Sequence, residues 1–116
     1  MVNLRDASPE LLQLVASRFS ALGDPARIRI LYALREGERT VSELIEETGF
    51  RQAKVSKHLQ LLHRDRFVER RKQGLNVYYR IADPEVFRLC DLICGRLQLD
   101  AERMTHTVRL DGLNPD

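Results

Sequence analysis

Cys90 and Cys94 stand four residues apart in the stretch VFRLCDLICGRL, Val86–Leu97. On a helix that spacing puts both thiols on one face, with Cβ atoms ~5–6 Å apart. A disulfide needs ~3.5–4.5 Å, so an intrahelical bridge would require local unwinding. Thiolates this close suit a soft ion such as arsenite, Zn(II), Cd(II) or Cu(I). They also suit oxidation between subunits or modification by reactive sulfur. Arg88 is close enough in sequence to favour a thiolate if space agrees. The plainer reading is that both are small buried hydrophobes, on the stripe that carries Val86, Ile93 and Leu97. Both readings stay open. Asp100 and His106 could supply a further ligand, but no motif ties them to the thiols. The three histidines are scattered, no catalytic carboxylates pair, and no phosphate loop or nucleophile elbow occurs. A thiol enzyme would lack a base aimed at either cysteine, so the chain reads as a non-enzyme.

The second concentration of chemistry is charge. The segment RQAKVSKHLQLLHRDRFVERRKQG, Arg51–Gly74, holds eight of the nineteen Lys and Arg and two of the seventeen acids. Its net charge is +6, against −4 for the remainder and +2 for the whole. On a helix at ~100° per residue, Val55, Leu59 and Leu62 make one aliphatic face. Ala53, Ser56, Lys57, Gln60 and Arg64 make the opposite face, which has no acid. Small and polar side chains for base edges with cations for phosphates are what a helix in a DNA major groove needs. Arg51, Gln52, Lys54 and Ser56 fall at the end that reaches deepest, and His58 is expected at the flank, on backbone or phosphate. Arg70, Arg71, Lys72 and Gln73 lie beside a hairpin tip, where a wing can follow the adjacent backbone. His63 reads as a solvated helix-end residue.

The elements that must position these groups are legible. Ser8-Pro9-Glu10 starts a first helix carrying Leu11, Leu12, Val15, Phe19 and Leu22, with Gly23 expected to stop it in a left-handed conformation. Asp24-Pro25 starts a second, with Ile28, Leu31 and Leu34 inward and Gly37 beyond its end. Thr40 to Glu43 fits a capping box for a short third helix, with Val41, Leu44 and Ile45 inward, ended by Gly49. A fourth helix runs from about Gln52 to Arg64. From Phe67 the period becomes two, giving strands on either side of Gln73–Asn76. Asp83-Pro84-Glu85 opens a last helix reaching Leu99 or beyond. The order predicts a mostly α fold with a small β-hairpin wing: a winged helix-turn-helix with added first and last helices.

At 116 residues, 43% hydrophobic and 31% charged, the chain is expected to be one domain over 1–116. Its ordered core is expected at about 8–100, with a flexible tail at about 111–116. So small a core would gain from a partner subunit. No apolar run approaches the ~18 residues of a membrane span, and the N-terminus does not read as a secretory signal, so a cytoplasmic protein is expected. Two cysteines make no disulfide framework.

Several stretches resemble the ArsR/SmtB family of bacterial winged-helix repressors. LGDPARIRIL, Leu22–Leu31, is similar to the family's entry to its second helix. TVSELIEETGFRQAKVSKHLQLL, Thr40–Leu62, resembles its helix-turn-helix, including Val55-Ser56-Lys57-His58-Leu59. RRKQGLNVYYRI, Arg70–Ile81, resembles its wing, and Val86–Leu97 its dimerising last helix. The resemblance spans about residues 10–99. It implies a homodimer, built through the first and last helices, that represses transcription from a palindromic operator in double-stranded DNA until an inducer releases it. There are departures. Asp65-Arg66 replaces a small residue and Gly before the wing. SELIEE, Ser42–Glu47, lacks the cysteines of the family's metal site on the third helix. Asp83 and Glu85 could begin its last-helix zinc site, but Arg96 and Leu99 stand where later ligands belong. An inducer sensed at Cys90 and Cys94 is the remaining candidate. The alternatives are a regulator of the same fold without a thiol sensor, and a winged-helix module that binds protein or RNA.

Overall fold

In the computed structural model, residues 3–103 are described. Residues up to Asp83 form one compact unit, and Pro84 onward a second. The expected tail at 111–116 and His106 lie outside the described residues. No helix among the described residues is long and apolar enough to cross a membrane.

After a 3-10 turn at Leu4–Asp6, helix α1 spans Pro9–Leu22. The Ser8 hydroxyl accepts from the Leu11 amide at 3.2 Å, with Pro9 in the first turn. Gly23 follows it, but at φ −84° it is not left-handed, which corrects the expectation. The stop comes from Pro25, which drives Asp24 to an extended φ −126°, ψ 125°. Asp24 then caps helix α2, Pro25–Arg35, accepting from the Ala26 and Arg27 amides at 2.8 and 3.3 Å. Burial alone would raise its carboxyl pKa. The two amides and the nearby His58 and Arg27 charges outweigh that and hold it below the ordinary value. Helix α2 buries Ala26, Ile30, Leu31 and Leu34, while Ile28 is only half-buried. The expected stripe therefore rotates toward Ile30.

Arg39–Thr40 form a two-residue strand, β1, which the sequence pattern does not show. Thr40 also caps helix α3, Val41–Thr48, in a complete capping box. Its hydroxyl accepts from the Glu43 amide at 3.2 Å, and the Glu43 carboxylate accepts from the Thr40 amide at 2.9 Å. Gly49 ends α3 at φ +74°, where a side chain would be strained. Helix α4 follows at Gln52–Arg64. Strands β2, Val68–Gln73, and β3, Asn76–Ile81, form the wing, and the antiparallel sheet runs β1-β3-β2. Gly74, at φ +61°, supplies the first residue of the two-residue Gly74-Leu75 turn. The core of this unit joins Ala21, the α2 residues, Leu44, Val55, Leu59, Leu62, Val68 and Tyr79. In the second unit, helix α5 spans Glu85–Arg103, with Val86 and Phe87 buried.

The link from α4 to the wing is the one strained point among the described residues. Arg66 sits at φ +64°, the only described non-glycine with positive φ. Its amide donates to the His63 carbonyl at 3.1 Å, and that of Phe67 to the Leu62 carbonyl at 2.9 Å. This pair of bonds is the Schellman ending, whose left-handed position favours glycine. Replacing Arg66 by Gly removes a left-handed penalty of ~1–2 kcal/mol and restores part of it as unfolded-chain entropy. R66G is expected to be more stable by about 0.5–1 kcal/mol, read as a Tm increase of a few degrees.

Candidate nucleic-acid interface

The expected groove face of α4 is on the surface. Arg51, Gln52, Ala53, Lys54, Lys57, Gln60 and Arg64 are exposed and Ser56 is half-buried. No acid occurs in the helix, and its N-cap Arg51 makes no side-chain capping bond, so the first amides are open to an anion. The tight turn before it is set by Thr48, whose hydroxyl donates to the Leu44 carbonyl at 2.6 Å and accepts from the Phe50 amide at 3.2 Å. Phe50 in turn lies under the Lys54 ammonium, 4.3 Å from the ring centre.

His58 departs from its expected place. It is 8% exposed, so it cannot reach a phosphate from the flank. Its Nδ1 lies 3.3 Å from the Arg27 guanidinium. A guanidinium only donates, so Nδ1 must accept and the ring proton sits on Nε2. The same guanidinium donates to the Ala21 carbonyl at 2.7 Å and the Ser20 carbonyl at 3.2 Å, in the last turn of α1. One side chain thus fastens the end of α1 to α4. A second fastening is Asp65, whose carboxylate accepts from the Ser17 hydroxyl and from Arg64, each at 3.2 Å. Neither bridge could be read from spacing, because each partner lies on a distant element.

The wing cations divide. The register pairs Arg70 with Tyr79 and Lys72 with Val77 on one ribbon face, and Arg71 with Tyr78 and Gln73 with Asn76 on the other. Arg71 makes two bonds to Glu38, at 2.9 and 3.1 Å, lies 4.7 Å over the Tyr78 ring and bonds Gln73. The hydrogen bond from Arg71 and its charge hold the Glu38 carboxyl below its ordinary pKa, against a smaller upward effect of burial. Arg80 pairs with Glu69 at 2.9 Å. Arg51, Lys57, Arg66, Arg70 and Lys72 have no ion pair among the described residues. The structure therefore sets Arg71, and Arg64 with its bond to Asp65, apart from the expected phosphate contacts that have no ion pair among the described residues.

On α5, Cys90 is half-buried and Cys94 exposed, both as free thiols. Ile93 and Leu97 beside them are exposed as well. Arg88 pairs with Glu85 at 3.3 Å, and Arg96 with Asp100 at 3.3 Å. No group of three or more His, Cys, Asp or Glu that could hold a metal occurs among the described residues. Among the described residues, one protomer thus offers two soft donors and no third beside them.

A trihelical core with an exposed cationic helix and a hairpin beside it defines a winged helix-turn-helix DNA-binding protein. Residues 24–70 match the bacterial regulatory protein, arsR family. A transcriptional repressor SmtB homolog of Synechocystis is 36% identical over 100 residues, covering 82% of this chain and 76% of its own length. A Streptomyces lividans protein named "Probable mercury resistance operon repressor" is 39% identical over 75 residues, 65% of this chain and 58% of its own. The homodimeric winged helix-turn-helix DNA-binding domain of a Mycobacterium bovis protein superposes with a TM-score of 0.69 at 34% identity, covering 95% of this chain and 100% of that one. The chain belongs to the ArsR family. It is a DNA-binding transcriptional repressor, and its relatives are regulators rather than enzymes.

Burial holds the His58 pKa below the ordinary 6.5; Asp24 pulls it up, while Arg27, Lys54 and Lys57 push it down. The unfolded chain then binds the proton first, so this contribution is complete above the unfolded value and is lost as pH falls toward the folded one. Thermal melts between about pH 7.5 and 5 should show a falling Tm for the parent. His58→Gln, which keeps an uncharged acceptor, should flatten that fall.

Proposed function

We propose that the protein works as a cytoplasmic homodimer that holds a palindromic operator and releases it when an inducer meets Cys90 and Cys94. The observation that carries the DNA half is the exposed, acid-free face of α4 opposite the buried Val55, Leu59 and Leu62. Arg51, Lys57, Arg70 and Lys72 hold phosphates. Gln52, Ala53, Lys54, Ser56 and Gln60 meet base edges or the adjacent backbone, with Arg64 and Gln73 at the margins. Homodimerisation is supported by apolar residues left in solvent on two helices. Leu12, Leu14 and Phe19 of α1 are 47, 64 and 57% exposed. Leu92, Ile93, Leu97 and Leu99 of α5 are 73, 56, 45 and 44% exposed. A second copy packed through α1 and α5 would cover them. A two-fold dimer would then present two α4 helices to half-sites about one turn apart.

The sensor half rests on two unpaired thiols within reach of solvent on α5, and on a relative named for mercury resistance. Two donors per protomer do not make a metal site alone; four from a dimer would suit a soft metal or metalloid such as arsenite, Zn, Cd or Cu. Oxidation or reactive sulfur at the same thiols remains the other inducer class. A second reading, a repressor of this fold that does not sense through these thiols, is favoured by the absence of a third donor among the described residues.

Lys57→Ala is expected to weaken binding to operator and scrambled duplex alike, and to lower the slope of log K against log salt by about 1.8, one phosphate for each protomer of the dimer. Gln52→Ala should instead change operator preference at one position by about 1–3 kcal/mol. An unchanged slope for Lys57→Ala would remove α4 as the DNA face. A Cys90→Ser/Cys94→Ser variant should hold the operator when challenged with arsenite, Cd(II) or polysulfide at levels that release the parent. Release equal to the parent's would decide for the second reading.

A further inference from the structure

Outside the segment Arg51–Gly74, one further cation shares a cleft with the DNA-facing helix. Arg29 of α2 is exposed and has no ion pair among the described residues. It lines an open cleft of about 470 Å³ together with Pro25, Ala26, Glu47, Phe50 and Lys54. Lys54 is the third residue of α4, and its ammonium lies 4.3 Å from the centre of the Phe50 ring, which holds it at the cleft. Glu47, the one acid there, already accepts from Arg39 at 2.9 Å. The charge left over in the cleft is therefore positive. It is carried by two cations from two helices, beside the uncapped N-terminus of α4.

We propose that Arg29 and Lys54 together clamp one phosphate of the DNA backbone at the edge of the groove that α4 enters. The footprint then extends beyond the helix-turn-helix and wing onto α2, and Arg29 is a positioning residue that sets the height of α4 in the groove. Arg39 serves the clamp indirectly, because its bond to Glu47 keeps that carboxylate from opposing the phosphate. The proposal rests on the reading of α4 as the DNA face. Arg29 is in solvent and anchors nothing, so its removal leaves the fold intact.

The test uses the intact protein, a duplex that the parent selects from a random pool, and a scrambled duplex of the same length. Arg29→Ala should lower the slope of log K against log salt by about 1.8 on both duplexes, one phosphate for each protomer, while Arg29→Lys keeps it. Arg39→Ala should weaken binding at low salt by freeing Glu47 into the cleft, and this loss should vanish in Arg39→Ala/Glu47→Gln. Lys57→Ala is measured alongside. If its slope falls and that of Arg29→Ala does not, the clamp is wrong and the α4 reading stands. If neither falls, both are wrong. Equal thermal melts for parent and Arg29→Ala confirm that the comparison is between folded proteins.

Discussion

The whole arrangement depends on one helix having two incompatible faces. Val55, Leu59 and Leu62 of α4 are each at 0% exposure. Burial of each such side chain is worth about 1.5–3 kcal/mol, and together they fix the rotation of the helix about its axis. Rotation is the quantity that matters for what α4 shows to solvent, because a turn of one residue, about 100°, would put Ser56 or the imidazole of His58 where Lys57 stands. The seam against α2 and α3 therefore does more than stabilise. It decides which side chains α4 turns to solvent.

Apolar packing sets rotation but leaves translation along the axis less constrained. That constraint comes from polar ties at both sides of the seam. Arg27 reaches His58 from the α1–α2 corner, and Ser17 reaches Asp65 at the far end. Both ties are half-buried, where a hydrogen bond to a charged group contributes about 1.5–3 kcal/mol. Both also lead to α1, one of the two helices with uncovered apolar residues. A change in how α1 is packed would thus reach α4 through two hydrogen bonds rather than through the aliphatic seam.

The helix starts were legible because their signals are local: Ser8-Pro9-Glu10, Asp24-Pro25 and the Thr40–Glu43 box each act within one turn. The α4 face was legible because periodicity and charge agree. What was not legible is nonlocal. Strand β1 has two residues and no period, and exists because Tyr78 and Tyr79 arrive from far along the chain. His58 lies about 40° around the wheel from Leu62, so its angle already leaned to the core. Only Arg27, on another helix, makes an inward imidazole acceptable. Gly23 invited a left-handed ending, but the proline two residues later had already settled the matter. Arg66 is the reverse case: the missing glycine was visible in sequence, and the backbone adopts the left-handed turn regardless.

The pairing of some cations bears on the rest. Eight positive side chains within twenty-four residues repel one another, and a carboxylate beside each would cancel the footprint. Of the eight, the structure pairs Arg64 and Arg71 with Asp65 and Glu38, sets Lys54 over Phe50, and leaves Arg51, Lys57, Arg66, Arg70 and Lys72 without an ion pair among the described residues; just beyond them, Arg80 pairs with Glu69. Exposed pairs of this kind add little stability. Their effect is geometric. Arg71, held by Glu38 and stacked on Tyr78, ties the wing to the residues just before β1, so that Arg70 and Lys72 project from a fixed ribbon. A cation bound to a carboxylate gives up most of its phosphate affinity, but it orients its neighbours. In this protein Arg71 is part of the scaffold of the wing, and Arg70 and Lys72 on either side of it stand free of carboxylates among the described residues.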